Sequence, residues 1–328
     1  MKNVPNSKTN LDKAILRFAG EVRKANELRT LMANTIVAQM IGDGVVKGGS
    51  GLRFRYGNQR TRATMDLDTS WRTDLDLFLK GLRTKLSEGW NGFTGEVHIM
   101  RQASPRGIPF EYVMQPCEVK LAYRSRPWFT VQLEVGHNEI GDADECEMID
   151  VPELLSELFS FLALPKPLSI PMMKLEFQVA QKLHGATAPG SKRAHDLVDL
   201  QLILNNSEIN FELTKILCEK LFAYRKVHQW PPSIVKSDEW ENVYNAQRRG
   251  LDVLETVDEA IPLKVQIIPC NSKTFDTIHV LQITLIMQQS SKSISSHKQY
   301  TNTINIAILT SVILQAQAIN SSMYLIKA

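Results

Sequence analysis

Two neighbouring stretches decide the fold, GGSGLRFRYG at residues 48–57 and RATMDLD at residues 62–68. Glycines lack a Cβ, so in the first stretch a backbone turn can bring amides and the Ser50 hydroxyl close to phosphate oxygens. The second stretch reads as a short strand over residues 63–67, with Asp66 and Asp68 two residues apart. Side chains alternate along a strand, so both carboxylates face one way and Leu67 faces the core. The two stretches predict a phosphate-holding turn beside a carboxylate pair.

The carboxylate pair Asp66 and Asp68 predicts a site for Mg²⁺ or Mn²⁺. Mg²⁺ binds hard oxygen ligands and keeps positions for water and phosphate oxygens. Two ions at such a site would activate an attacking hydroxyl and stabilise a leaving pyrophosphate. An isolated DxD pair is more often a solvated surface feature. A second pair, Asp74 and Asp76, falls in the first turn of a predicted helix, where residues two apart point about 200° apart and do not share one ion.

The elements around this motif change in type along the chain. Helical spacing predicts one helix or two over residues 12–39, and Val45 and Val46 form a short strand before the glycine turn. A helix is expected over residues 74–86, followed by antiparallel strands at 96–100, 117–123 and 129–135. Beyond Val151 the pattern predicts helices at 153–162, 172–184, 193–204, 208–224 and 237–249.

Three regions follow from this pattern: an α/β core with an N-terminal helix over residues 1–150, a helical region over 151–262, and an atypical tail over 263–328. Asp276 is the only acidic residue from Lys264 to the end, and Ile, Ser, Thr, Asn and Gln dominate. The tail is either a strand-bearing extension, or a disordered or out-of-frame segment.

Bulk properties bound the class of protein. The chain has 328 residues, a formal net charge of +3 and average apolar and charged fractions, which exclude a disordered, fibrous or membrane protein. Without a CxxC pair, the cysteines predict free thiols rather than a zinc site or disulfides; they are Cys117, Cys146, Cys218 and Cys270. Neither a leader nor a membrane span is predicted, and a cytoplasmic location is expected.

A second pair of stretches completes the pattern, AQKLHGA at residues 180–186 and RAHDLVDL at residues 193–200. With GGS, YG and the RxTxDLD run in the same order, the sequence resembles the AbiEii/AbiGii nucleotidyltransferase toxin family. The resemblance covers residues 48–204. It implies an α+β fold, in which a polymerase-β-like nucleotidyltransferase core with a mixed or antiparallel sheet precedes a helical C-terminal region.

The resemblance also implies roles at the site. Asp66 and Asp68 bind the metal, and Glu134 at the end of a predicted strand is a third ligand, although the family more often has Asp there. Lys182 brings an ammonium to the triphosphate, and Asp196 orients it as a further catalytic residue. Nucleotide binding falls to Gly49, Ser50, Arg62, Thr64, Lys182 and Asp199. The structural alternatives are a solvated helix lysine, helix-dipole compensation by the two aspartates, and an edge-strand surface acid.

The acceptor is the least determined part of the prediction. The family resemblance implies a toxin of a toxin–antitoxin or phage-defence system, with NTP as substrate, tRNA as acceptor and a separately encoded antitoxin as partner. A basic rim that could hold RNA phosphates is predicted, with Tyr56, Tyr123 or Trp128 available for stacking; its residues are Arg53, Arg55, Arg60, Arg62, Arg101, Arg106, Lys120, Arg124 and Arg126. Alternatives are a small-molecule or protein acceptor, and an inactive nucleotide-binding module. His137, His184 and His195 lack metal-ligand spacing and predict core or surface positions.

Overall fold

Seven strands form one mixed sheet in the computed structural model, which describes residues 3–72, 74–103 and 113–261. The strands are β1 Gly44–Val46, β2 Leu67–Trp71, β3 Phe93–Ile99, β4 Gln115–Tyr123, β5 Arg126–Gly136, β6 Cys146–Ile149 and β7 Ile170–Met173. Their order is β3-β4-β5-β2-β1-β7-β6. The pairs β2–β5 and β1–β7 are parallel and the others antiparallel. The α+β prediction is confirmed, as are the antiparallel strands β3 to β5.

Helices precede the sheet, interrupt it and follow it. They are α1 Lys8–Ala19, α2 Val22–Ala38, α3 Gly48–Tyr56, α4 Leu75–Glu88, α5 Glu153–Phe161, α6 Leu175–Thr187, α7 Ala194–Asn206, α8 Phe211–Arg225, α9 Trp240–Gln247 and α10 Val257–Ala260. The described residues fall in one compact unit, Met1–Ile268. The whole predicted tail at 263–328 lies outside the described residues.

Two predictions around the glycine stretch are wrong. Residues 48–56 form the helix α3, because Gly48 with φ +63° turns the chain out of β1 and the following residues pack Leu52 and Phe54 into the interior. The strand predicted at 63–67 instead begins at Leu67. Val46 is the last β1 residue to pair with β2, at Thr69, and the Lys47 amide bonds to the Asp68 carbonyl. Helix α3 starts next, so β1 offers residues 63–66 no further ladder partner.

The helix predicted at 172–184 is also partly wrong, since its first residues belong to β7. β7 pairs with β1 in parallel and with β6 in the antiparallel direction, so the sheet extends into the mainly helical part of the sequence. Neither β6 nor β7 was predicted, because each has only four residues and shows no clear alternation. Helix α6 follows, with Lys174 as the residue before its first turn.

Helix α3 lies where two apolar cores meet. Phe54 belongs to the core between the sheet and the first helices, which also buries Leu67 and Val135. Leu52 belongs to the core of the helical region, with Leu183 of α6. Burial of apolar surface on both sides fixes α3, and with it the backbone amides of its first turn, against β2.

Other sequence predictions can be compared with the described residues. Cys117, Cys146 and Cys218 are free, as predicted, while Cys270 lies outside the described residues. Among the described helices, none has the length and apolar character that a bilayer crossing requires.

Candidate active site

The predicted carboxylates meet at the start of β2. Asp68 is the second residue of β2 and lies opposite Glu134 in the parallel register with β5. Residues opposite each other in a ladder present their side chains on the same sheet face. Asp66 lies just before the strand, exposed, two residues from Asp68. The structure therefore brings Asp66, Asp68 and Glu134 into one acidic cluster.

The charges of this cluster repel one another. Burial raises the pKa of Asp68, and the Asp66 carboxylate raises it further, while Lys47 and Lys182 oppose the shift. The pKa of Glu134 is raised by burial first and then by Asp68 and Asp66. A divalent cation between these oxygens would relieve that repulsion.

The first turn of α3 lies directly against the acidic cluster. A Cβ on Gly48 would stand 1.9 Å from Oδ2 of Asp68, so only glycine fits. A Cβ on Gly49 would stand 3.0 Å from Nη2 of Arg62 and 3.3 Å from the Cβ of Thr64. The glycines thus let the carboxylate, Arg62 and Thr64 approach a helix N-terminus, which favours phosphate binding.

Ser50 has a different position from the one predicted. Its side chain is buried, and its hydroxyl donates to the backbone carbonyl of Asp66. Arg53 similarly donates to the carbonyl of Thr64, with Nη1 2.6 Å from the oxygen. The Ser50 and Arg53 side chains, which both come from α3, hold residues 64–66 in place before β2. The Ser50 hydroxyl is thus bonded within the chain. The backbone amide of Ser50, in the first turn of α3, remains as the candidate phosphate donor.

Lys182 and Asp199 form the centre of a buried ion network. The Lys182 side chain is only 6% exposed, and its Nζ lies 2.6 Å from Oδ2 of Asp199 and 3.4 Å from Oδ1 of Asp196. Arg62 binds Asp199 with two hydrogen bonds, of 2.9 and 3.0 Å. Because Arg62 precedes β2 and Asp199 lies on α7, the network ties the segment that carries Asp66 to the helical region.

Asp196 has a second cation of its own. Arg193 donates to Oδ2 of Asp196 from the residue before α7. Burial would raise the pKa of Asp196, but Arg193 and Lys182 outweigh it and hold that pKa well below the usual range. A Cβ on Gly185 would stand 2.7 Å from Nε of Arg193, so the glycine leaves room for this pair. The carboxylate is therefore ionised and holds its cations in place.

A lysine that the sequence analysis passed over belongs to this site. Lys47 immediately precedes α3, is 7% exposed, and its Nζ would lie 2.6 Å from a Cβ on Gly136. It influences the charges of Asp68, Glu134 and also Asp142, a fully buried residue beyond β5. The signal for this lysine in the sequence is its position directly before the GGS stretch.

The predicted basic rim is only partly formed. Tyr123 and Trp128 are buried in the core, so their prediction as stacking platforms is wrong. Arg53 is buried, Arg55 pairs with Glu147, and Lys120 lines a different cavity, between β3, β4 and α4. Arg60 is exposed, whereas Arg106 lies outside the described residues. His184 is buried against Phe222 and His228, which confirms a core position.

The residues fit a divalent cation of the Mg²⁺ type. Within residues 3–72, 74–103 and 113–261, no three His, Cys, Asp or Glu side chains enclose a metal by themselves. Mg²⁺ usually binds one or two carboxylates and completes its shell with water and substrate phosphates. The oxygens of Asp66 and Asp68, next to a helix N-terminus, supply that incomplete set. Asp74 caps α4 by accepting from the Leu77 amide, which gives the second DxD pair a structural role.

Comparison with known proteins identifies the class. Over residues 32–277 the chain matches the family described as nucleotidyl transferase AbiEii toxin, type IV TA system. The structure of JHP933 from Helicobacter pylori is similar at 18% identity, covering 82% of this chain and 99% of that one, with a TM-score of 0.43. MenT4, the nucleotidyltransferase toxin Rv2826c from Mycobacterium tuberculosis H37Rv, is 14% identical, with 84% and 98% covered and a TM-score of 0.46. No curated protein matches the chain.

The family match settles the class of reaction. The chain is a nucleotidyltransferase, and an NTP is its substrate. It belongs to the AbiEii family of nucleotidyltransferase toxins of type IV toxin–antitoxin systems, since the match spans well over half of its length. Membership in such a system implies an antitoxin as partner.

Proposed function

We propose that the chain moves a nucleoside monophosphate from an NTP onto a hydroxyl of tRNA, with a divalent cation at Asp66 and Asp68. The observation that carries the proposal is the acidic cluster of Asp66, Asp68 and Glu134 beside the first turn of α3. The cation, Mg²⁺ or Mn²⁺, would supply charge neutralisation at the reacting phosphate and lower the pKa of the attacking hydroxyl.

The chain's own residues position the triphosphate. The amides of Gly49 and Ser50 lie in the first turn of α3, where the helix dipole favours phosphate oxygens. Arg62 and Thr64 lie over the same turn. Lys182 is held 2.6 Å from Asp199, so its ammonium has a fixed place and steadies the charge that develops on the leaving group.

In the reaction the acceptor oxygen attacks the α-phosphorus in line. The new bond joins that oxygen to the α-phosphorus, and the bond between the α-phosphorus and the bridging oxygen to the β-phosphate breaks. The hydroxyl proton leaves to solvent, and pyrophosphate departs with the electron pair. Asp68 and Glu134 supply the negative charge that holds the divalent cation. Lys182 supplies positive charge to the triphosphate.

The tRNA acceptor is supported by the resemblance to toxins that modify tRNA and by the exposed Arg60, two residues before Arg62. We expect the reaction in the cytoplasm, with growth inhibition that the antitoxin relieves and a role in phage defence.

One experiment tests the reaction and its acceptor together. The full chain is incubated with each labelled NTP in the presence of whole-cell RNA or purified cellular proteins, with Mg²⁺ or with chelator. Label in the tRNA fraction that requires the divalent cation supports the proposal. Label in protein instead of RNA refutes the acceptor, and transfer in chelator refutes the metal.

The matched variants are Asp66→Ala and Asp76→Ala. Both aspartates are exposed and belong to DxD pairs, but only Asp66 lies at the acidic cluster. Asp66→Ala is expected to abolish transfer and growth inhibition with an unchanged melting temperature, whereas Asp76→Ala retains both. Nucleotide binding by the unaltered chain without pyrophosphate release would instead favour an inactive binding module.

A further inference from the structure

Lys47 is a largely buried cation that makes no ion pair with the residues that the structure describes. The residue is 7% exposed, and no side-chain hydrogen bond joins it to any other described residue. By contrast, Lys182, the other buried lysine of the site, binds two carboxylates directly. The Nζ of Lys47 keeps some contact with solvent, and an ammonium on a largely buried side chain without a carboxylate partner is retained mainly where its charge has a function.

The position of Lys47 is fixed at both ends. Its amide donates to the carbonyl of Asp68 at 2.9 Å, and its carbonyl accepts from Gly51 in the first turn of α3. Its Nζ lies where Gly136, the last residue of β5, has no side chain. Gly136 is two residues beyond Glu134, on the same sheet face. The end of the lysine side chain therefore lies on the sheet face that carries Asp68 and Glu134.

On its far side Lys47 faces a second buried carboxylate. Asp142 is fully buried, with one oxygen bonded to the amide of Gln181 and the other, Oδ1, without a partner among the described residues. Lys47 is the cation that acts most strongly on Asp142, followed by Arg225, which is already paired with Glu139. Lys47 thus lies among Asp68, Glu134 and Asp142 without binding any of them.

We propose that Lys47 is a positioning residue that serves as the resident countercharge of the acidic cluster. It balances the charges of Asp68 and Glu134 in the metal-free chain, and it stays next to them when the divalent cation is bound. This inference rests on the proposed function, because it assumes that the cluster binds a divalent cation. Its consequence is that Lys47 stabilises the metal-free chain and weakens cation binding, since like charges repel.

The test measures Mn²⁺ binding to the full chain by the paramagnetic resonance signal of free Mn²⁺. Lys47→Met removes the charge and nearly preserves the volume. It is expected to bind Mn²⁺ on the order of tenfold more tightly and to melt at a lower temperature without metal. A role limited to holding the backbone would leave the affinity equal or weaker, and that result would overturn the inference.

The control is Lys174→Met. Lys174 also directly precedes a helix and lacks a side-chain cap, but it pairs with the exposed Glu145. Its replacement is expected to leave Mn²⁺ affinity unchanged. A tenfold tightening there as well would show a general charge effect and overturn the assignment to Lys47.

If Lys47→Met does not fold, Asp142→Asn and the double variant with Lys47→Met give the same comparison. These two chains differ only in the Lys47 charge, and the double variant removes one charge of each sign. Tighter Mn²⁺ binding by the double variant supports the inference, and equal or weaker binding overturns it. Failure of the unaltered chain to bind Mn²⁺ at all would instead refute the proposed function.

Discussion

Gly48 and Asp68 touch at the centre of the site: a Cβ on Gly48 would stand 1.9 Å from Oδ2 and 2.8 Å from Cγ of Asp68. The contact joins the residue that turns the chain from β1 into α3 with the carboxylate that follows the start of β2. The N-terminus of α3 and the acidic cluster therefore lie in contact because Gly48 has no side chain.

This contact predicts that Gly48→Ala abolishes transfer. The added methyl must displace the Asp68 carboxylate, and the positive φ of Gly48 adds backbone strain of about 1 kcal/mol. Gly57 is the matched control, because it lies at the other end of α3 with φ +83° and open space around a Cβ.

Gly57→Ala is expected to keep activity while costing about 1 to 3 kcal/mol of stability, because its φ of +83° and ψ of 164° are accessible essentially only to glycine. The measurement is label transfer to RNA together with thermal melting of both variants. Equal activity of the two variants would show that Asp68 moves without consequence and would contradict the geometry described for the site.

Much of the site was predictable, because its chemistry lies in short, local patterns. The DxD spacing of Asp66 and Asp68 and the helical spacing of Asp196 and Asp199 each place a pair of residues through local geometry alone. Lys182 was placed by the family pattern, and the structure joins it to both helical aspartates. The strand pairing that brings Glu134 beside Asp68 was expected only by resemblance.

The rest depended on tertiary context. The glycine stretch has poor intrinsic helix propensity, yet it is helical because Leu52 and Phe54 are buried on two different cores. Tyr123 and Trp128 are predicted at the surface, but both face the core. They lie on the two strands joined by the β4–β5 turn, and the local sequence does not show which face of these strands is buried. Lys47 and Asp142 are 95 positions apart, and only the fold brings their charges together.

The buried network predicts that Asp199→Ala is strongly destabilising. The change leaves Arg62 without its two-bond partner and Lys182 without its nearest carboxylate, both in the interior. Unpaired buried charges of this kind cost about 3 to 5 kcal/mol, measured as the loss in free energy of unfolding by urea denaturation. Glu88→Ala, which breaks the exposed Lys85 pair, should cost under about 1 kcal/mol. Similar losses for both would mean that the Asp199 pairs contribute no more than surface ones.

Lys182→Met is predicted to separate catalysis from folding. Asp199 keeps Arg62 and Asp196 keeps Arg193, so both carboxylates retain a cation when the lysine is lost. Transfer should fall by about two orders of magnitude or more, the usual effect of removing a charge that stabilises the transition state. Lys192→Met is the control, since Lys192 is exposed and pairs with Glu239. Near-normal kcat/KM in the Lys182 variant would remove Lys182 from the mechanism.

Asp142 predicts a loss of stability as the pH rises. Burial raises the pKa of Asp142 to about 7, above its ordinary value of 3.8. The unfolded chain ionises this group at the lower value, so the folded chain holds an extra proton between the two. The free energy of unfolding therefore falls as the pH increases from about 4 towards 7. Above that range the ionisation of Asp142 causes no further change.

Asp142→Asn cannot ionise and keeps an oxygen for the Gln181 amide. Its stability relative to the unaltered chain should consequently grow by roughly 2 to 4 kcal/mol between pH 4 and pH 8, measured by urea denaturation at each pH. Asp144→Asn, which changes an exposed aspartate of the same loop, is the matched control. A pH-independent difference for Asp142→Asn would mean that the buried carboxyl is already ionised at pH 4, and that Lys47 compensates it fully.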